Sequence, residues 1–187
     1  TRGAADRDFK FPKGVKPSLI AFTQAKKLVD NPDAVKGVGV ITIPDIRWAR
    51  RDIKTVNLLA PVLGKQAAYE AGAFEAWMVE DGKVTEGTSS NAYIVKDGKV
   101  VTRGLSNSIL AGCTRRALFR LAKEHDVEIE ERPFSVEEAY AADEAFLTSA
   151  SNFVLPIVEI DAKRVGGGQP GPLTRKLREI FLEEIMN

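Results

Sequence analysis

Four short stretches of the 187-residue sequence carry side chains whose types and spacing can do chemistry. Lys54 lies in Asp52-Ile53-Lys54-Thr55-Val56, flanked by apolar residues on both sides. Desolvation there drives an ammonium toward the neutral amine, the form that attacks an aldehyde. The alternative is a lysine that lays its stem along apolar surface and keeps its charge in water. Glu86 opens the polar run Glu86-Gly87-Thr88-Ser89-Ser90-Asn91, where a turn-capping or solvent-facing glutamate is equally at home. In Leu110-Ala111-Gly112-Cys113-Thr114-Arg115 a glycine and a hydroxyl stand at the start of a helical pattern. Unpaired N–H groups and the positive end of the helix dipole bind an anion at such a place, unless it is simply a capped helix. Thr148-Ser149-Ala150-Ser151-Asn152 follows a strand and offers a second set of donors.

These residues need elements to hold them. The β-branched stretch 38–43 predicts a strand ended by Pro44-Asp45. Over 56–71, Leu58, Leu59, Val62, Leu63, Ala67 and Ala68 recur at helical spacing, with Pro61 tolerable in the first turn and Gly72 as the stop. Segments 74–80, 92–96 and 99–102 read as strands, and Asp81-Gly82 and Asp97-Gly98 as tight hairpin turns between antiparallel neighbours. A helix over 114–124 carries Ala117, Leu118 and Leu121 on one face. An alternating edge strand follows at 127–130, then a short helix at 136–140, a strand at 144–148 and a last helix at 173–185 after Gly166-Gly167-Gly168. Upstream, 18–23 reads as a short strand, and the polar, turn-rich stretch 24–36 marks a boundary. Hairpins mixed with a few helices specify an α+β domain in which a curved sheet is packed by helices.

Composition narrows the ligand. The chain is 44% hydrophobic and 28% charged, enough to bury one substantial core. Lys and Arg number 27 against 26 for Asp and Glu, so no global field draws nucleic acid or an acidic membrane, and a small, locally anchored ligand fits better. One cysteine and one histidine exclude an internal disulfide and argue against a thiolate or imidazole metal site. A reducing cytoplasm suits that cysteine count.

Residues 86–115 resemble the signature of the class IV, fold-type IV pyridoxal-phosphate aminotransferases. Glu86, Thr88, Asn91, Ala92, Tyr93, Val100, Thr102, Leu110, Gly112 and Arg115 meet its elements, and Cys113 stands where an aliphatic residue is usual. The run Asp45-Ile46-Arg47-Trp48, with Asp52-Ile53-Lys54 and Asn57-Leu58-Leu59, is similar to the lysine segment of D-amino-acid aminotransferases. The resemblance implies a large domain built as a pseudo-barrel of mainly antiparallel strands packed by helices, spanning 28–187. Residues 1–27 would then be terminal strands of a small N-terminal domain that is mostly missing.

The resemblance also implies site roles and an activity. Lys54 holds the pyridoxal phosphate covalently and shuttles a proton. Glu86 keeps the pyridine nitrogen protonated, and Ser90, with Thr88 and Ser89, bonds the ring edge or builds the turn. Leu110 packs on a ring face, and Gly112, Cys113 and Thr114 bind the phosphate, Cys113 through its backbone N–H with no redox or nucleophilic role. Ser149 and Ala150 belong to a second phosphate loop, with Ala150 where threonine is common. Arg47 either faces the site or pairs with Asp45 or Asp52. Arg7-Asp8-Phe9 is similar to an Arg-x-His loop that binds the substrate carboxylate and reaches a neighbouring subunit, which implies a homodimer; Phe9 replaces the histidine. The implied activity is transamination between a D-amino acid and a 2-oxo acid. The alternatives are branched-chain aminotransferase, R-selective amine transaminase or aminodeoxychorismate lyase activity on the same fold, or a silent fragment or binding module.

Overall fold

In the computed structural model, which describes residues 1–186, the strand-forming runs assemble into one nine-stranded sheet. Its strands are β1 (Val38–Pro44), β2 (Glu75–Glu80), β3 (Lys83–Gly87), β4 (Asn91–Lys96), β5 (Lys99–Thr102), β6 (Ile129–Glu131), β7 (Glu144–Ser149), β8 (Phe153–Ile160) and β9 (Lys163–Arg164). The order is β3-β2-β1-β8-β7-β4-β5-β6, with β9 paired to β8. Only β1 with β2, β1 with β8 and β5 with β6 run parallel, so the sheet is mainly antiparallel. Both two-residue turns form as expected. Asp81 and Gly82, and Asp97 and Gly98, all have positive φ, the backbone such hairpins require. The outermost strands of the order curl toward each other into a half-barrel. Just past β6, Phe134 O accepts the Val84 N–H at 3.0 Å, and Ser135 bridges to Lys83 on β3.

Strand alternation splits the core in two. Ala92, Ile94, Ala145, Leu147, Leu155 and Ile157 point to one face, where Trp77 meets Phe134 edge to face. Tyr93, Val95, Phe146 and Val154 point to the other, where Tyr93 stacks on Phe146 at 4.6 Å. That second face is covered by α3 (Cys113–Glu124) and α5 (Pro172–Met186) through Leu118, Leu121, Leu177, Ile180 and Phe181. Each such side chain, fully buried, contributes about 1.5–3 kcal/mol. The remaining helices are α1 (Pro32–Lys36), α2 (Leu59–Glu70) and α4 (Val136–Tyr140).

Several expectations shift. α2 starts at Leu59 rather than 56, because Thr55 Oγ1 and Val56 O accept the N–H groups of Asn57 and Leu58 and hold a turn there. Its buried side is the small one. Gly64 and Ala68 face inward, and a Cβ on Gly64 would lie 2.5 Å from Ile43, while Leu59, Val62 and Leu63 are exposed. β6 begins at Ile129, since the Val127 N–H is taken by Ala122 O at the end of α3. The sheet also contains β8, a central strand not foreseen from the sequence. Pro156 lies within it and argues against a strand, yet it sits one residue before β1 joins at the Val38–Ile157 pair.

The strand expected at 18–23 does not form. No regular element precedes α1 among the described residues, and Leu19, Ile20 and Phe22 are 93, 83 and 87% exposed. A strand needs a neighbour for its backbone ladder, and this segment has none. The chain joins the body at Leu28 and Val29, whose carbonyls accept Arg178 Nη2 from α5.

Candidate active site

The loops that carry the candidate residues leave the sheet at one end. Asn91, the first residue of β4, pairs with Thr148 near the end of β7, and Thr102, the last of β5, donates its hydroxyl to Ala92 O. The turn 88–90, the connection from β5 to α3, and the loop after β7 are thereby neighbours.

Glu86, on β3, is buried and held from three sides. Arg47 Nη1 donates to Oε1 at 2.5 Å, Asn91 Nδ2 to Oε2 at 3.0 Å, and the Leu110 N–H reaches both oxygens at 3.2 and 3.1 Å. Leu110 O accepts the other Asn91 amide hydrogen at 3.0 Å, so Asn91 and Leu110 form a brace around the carboxylate. Arg47 is shared. Its Nε and Nη2 bond both oxygens of Asp45 at 2.9 and 2.7 Å, and Asp45 also accepts the Thr85 hydroxyl. The next guanidinium, Arg51, is engaged by Glu80 in two bonds of 2.8 and 2.6 Å. Arg51 Nε also lies 3.6 Å from Asp45 Oδ2, so Asp45, Glu86 and Glu80 share the two guanidinium groups of Arg47 and Arg51. Burial pushes the Glu86 carboxyl above the usual carboxylate range, against the pull of Arg47 and the Leu110 N–H. For Asp45 burial acts the same way, but the bonds from Arg47 and Thr85 outweigh it and bring the group below its ordinary value.

α3 begins at Cys113 with Gly112 as N-cap in extended conformation and no side-chain cap. The first intrahelical bond is from the Arg116 N–H to Gly112 O, which leaves the N–H groups of the first turn open to an anion. A Cβ on Gly112 would lie 2.4 Å from Asn91 Oδ1, so the absence of a side chain lets this helix start press against the Glu86 brace. Thr114 is buried, Leu110 is half-buried and the Cys113 thiol is exposed. At the end of β7 and in the loop after it, the Ser149 and Ser151 hydroxyls accept from the Asn152 amide at 3.0 and 3.4 Å, with Ala150 exposed between them. Lys54 is exposed in the loop after β1, as are Ile53 and Val56, so the desolvation expected from its apolar flanks is absent, and its amine makes no hydrogen bond or ion pair among the described residues. Two bonds bring that loop to the site: Arg47 to Glu86, and the Arg51 N–H to Asn107 O at 2.9 Å.

Of the two roles expected of Ser90, the structure displays the turn: its hydroxyl donates to Glu75 Oε2 at 3.1 Å. Glu75 is 1% exposed and also accepts the Thr88 hydroxyl and the Ser89 hydroxyl and N–H. The sequence reading missed this residue; the signal was a carboxylate inside an apolar strand, which only a cluster of donors such as 88–90 can satisfy. Arg47 is both things expected of it at once, ion-paired to Asp45 and facing the site. Arg7 and Phe9 are not brought to the others. They lie in the exposed N-terminal segment, the Arg7 guanidinium 5.6 Å from the Phe9 ring centroid.

Together these groups can take a ring with a cationic N–H at one end and a phosphate at another. Three donors act on the roughly four lone-pair sites of the Glu86 carboxylate, which leaves capacity for a protonated heteroaromatic nitrogen. The uncapped α3 start suits the phosphate. The residues present thus fit pyridoxal phosphate.

The chain is similar to several known proteins. The family model for class IV amino-transferases matches residues 1–160. D-alanine aminotransferase of Bacillus licheniformis is 40% identical over 189 residues, covering 100% of this chain and 66% of that protein. The enzyme of that name from Staphylococcus haemolyticus is 43% identical over 184 residues, covering 97% of this chain and 64% of that protein. The chain thus spans just under two thirds of the length of these relatives. Among solved structures, branched-chain amino acid aminotransferase from Thermobaculum terrenum in its PLP-form superposes with a TM-score of 0.71 at 33% identity, over 79% of this chain and 50% of that one. Branched-chain amino acid aminotransferase from Escherichia coli gives 0.67 at 30% identity, over 78% and 52%.

Proposed function

The chain belongs to the class IV aminotransferase family, and on that premise we propose that it serves pyridoxal-phosphate-dependent transamination between a D-amino acid and a 2-oxo acid. The observation that carries the proposal is the buried Glu86, fixed by Arg47, Asn91 and Leu110 beside an uncapped helix start. Pyridoxal phosphate, when bound, supplies an aldehyde to which amines add and a ring that accepts the electrons of a broken Cα–H bond. Lys54 holds the aldehyde carbon, then takes and returns the proton at the substrate Cα. Glu86 holds a proton on the ring nitrogen. The first-turn N–H groups of Cys113 and Thr114, with the approach opened by Gly112, bind the phosphate, and Ser149 and Ala150 add donors from the second loop. Leu110 would pack on the ring, and Glu75 fixes the turn 88–90, which would border it, through Ser90.

The D-amino-acid assignment rests on the relatives at 40 and 43% identity, which are named D-alanine aminotransferase, against 33 and 30% for the branched-chain structures. In the same proposal residues 1–27 belong to a smaller domain, 28–187 to the cofactor domain, and the enzyme is cytoplasmic. No helix among the described residues is long and apolar enough to cross a membrane. A homodimer is part of the proposal, with Arg7 and Phe9 serving the neighbouring subunit's site. The exposed Leu59, Val62 and Leu63 of α2 support such a partner.

The test loads the chain with pyridoxal phosphate. Wild type should gain an absorbance band at about 410–420 nm that borohydride removes, and Lys54→Ala should not. A band retained in Lys54→Ala refutes the assignment of Lys54. Turnover of D-alanine with 2-oxoglutarate but not of L-leucine supports the substrate class, the reverse favours the branched-chain alternative, and a band without turnover of either favours a binding module.

A further inference from the structure

Arg47 occupies a position that neither the lysine nor the ring carboxylate explains. Its guanidinium is 11% exposed as a side chain and uses three of its nitrogens on two carboxylates, Asp45 and Glu86. Asp45 is fully buried as a side chain and takes Nε and Nη2 in the two-pronged geometry that fixes the guanidinium plane. Nη1 is then aimed at Glu86 Oε1 at 2.5 Å, while the Asn91 amide aims at Oε2. The plane of the carboxylate is thus fixed from both oxygens, with the Leu110 N–H shared between them.

Charge matters as much as orientation. When a carboxylate and a heteroaromatic nitrogen share one proton in a dry site, two arrangements compete: carboxylate with protonated nitrogen, or carboxylic acid with neutral nitrogen. Burial favours the neutral pair. A cation bonded to the far oxygen favours the charged one. The groups acting on Glu86 are Arg47, Asp45, Asn91 and the Leu110 N–H, with Tyr93 beside it and Arg51, Glu80 and Arg103 further along the same chain of charges. Only Arg47 among them is a cation in direct contact with the carboxylate.

We propose that Arg47 is a positioning residue for the proton of the reaction: held in plane by Asp45, it keeps Glu86 ionised and turned so that the shared proton resides on the ring nitrogen. This rests on the proposed pyridoxal-phosphate site. It adds a requirement that site alone does not impose, namely that Glu86 without Arg47 is an acid and a poor electron-sink partner. A merely structural Arg47 would tie β3 to the loop after β1 and leave the location of the proton unchanged.

The test uses the full chain loaded with pyridoxal phosphate labelled with 15N in the ring, whose chemical shift reads the protonation of that nitrogen. In wild type the nitrogen should be protonated at pH 7.5. In Arg47→Met it should move to the neutral-pyridine position, and the rate at which D-alanine bleaches the bound chromophore should fall about a hundredfold, the usual cost of removing one preorganised electrostatic partner. Arg47→Met leaves buried Asp45 with the Thr85 hydroxyl and Arg51 Nε, 3.6 Å away, as its only side-chain partners, so the double variant Asp45→Asn with Arg47→Met is measured as well. It removes both charges and should show the same neutral nitrogen with a melting temperature closer to wild type. Arg47→Lys should restore protonation while recovering only part of the rate, since an ammonium keeps the charge but lacks the fork. A nitrogen that stays protonated in a folded, loaded Arg47→Met or in the double variant overturns the inference and leaves the site reading standing. Wild type that takes up no pyridoxal phosphate overturns both.

Discussion

Gly112→Ala isolates the contact on which the site geometry turns. The backbone at Gly112 has φ −64° and ψ 141°, which alanine adopts without strain, so any cost comes from what the new methyl meets. That is Asn91 Oδ1, 2.4 Å from the ideal Cβ position, well inside contact distance. Asn91 cannot move aside freely, because its amide is bonded to Glu86 Oε2 and Leu110 O, both at 3.0 Å. Displacing it loses one bond to a charged group and one to a carbonyl, together about 2.5–4 kcal/mol. Alanine stiffens the unfolded chain and returns about 0.4–1 kcal/mol, for a net loss of about 2–3 kcal/mol. For a chain of this size each kcal/mol moves the melting temperature by about 2–4 °C, so Gly112→Ala should melt about 5–10 °C below wild type. Thermal unfolding followed by circular dichroism reads the shift. Gly104→Ala is the matched control, since its Cβ would meet nothing closer than 3.8 Å. The double variant Asn91→Ala with Gly112→Ala completes the cycle. With Asn91 truncated, the glycine substitution should cost almost nothing more. A Gly112→Ala protein that melts within about 1 °C of wild type, or a double variant in which the two losses simply add, refutes the reasoning.

Two further outcomes follow from the buried acids. Glu75→Ala strands the hydroxyls of Thr88, Ser89 and Ser90 and should cost about 3 kcal/mol or more, read as faster proteolysis between β3 and β4 and a lower melting temperature; Glu75→Gln, which keeps an acceptor, should lose less. Asp45, held below its ordinary value, contributes stability present above its unfolded value of about 3.9 and lost as pH falls through the folded value. Glu86 works the other way, its raised value making ionisation a cost that is relieved on acidification. The melting-temperature gap between wild type and Asp45→Asn should therefore narrow as the pH is lowered from about 6 to about 3, and a gap that widens would contradict the assignment.

Much of the fold was legible because its signals are local. Asp81-Gly82 and Asp97-Gly98 need positive φ and announce hairpins on their own. The helix over 114–124 was readable from the spacing of Leu118 and Leu121, both of which lie in the core under α3. What stayed hidden depends on distant partners. β8 is buried on both faces between β1 and β7, so it lacks the polar alternation of an edge strand, and Pro156 disguised it further. The apolar spacing in α2 promised a buried stripe at Leu59, Val62 and Leu63, yet the sheet accepts only its small side, Gly64 and Ala68. In the site, Glu86, Gly112 and Arg47 were singled out by the family resemblance, since by residue type alone each had an equally good structural role. Asn91 as a brace and Glu75 as a hub were not, because each acts on residues that only the folded turn brings within reach.

The pairing of β1 with β8 sets a schedule for synthesis. Val38 meets Ile157, a partner about 120 residues later in the chain, and the two strands run parallel in the middle of the sheet. At about 5–20 residues per second, β1 leaves the ribosome roughly 6–24 s before the strand that covers its open edge. During that interval β1 and β2 are a sheet with one side unprotected, rich in valine and isoleucine, which is the form most easily captured by another nascent chain. Chains stalled before Phe153 should bind chaperones and be degraded readily by protease, while chains stalled with Ile160 well clear of the exit tunnel should resist it.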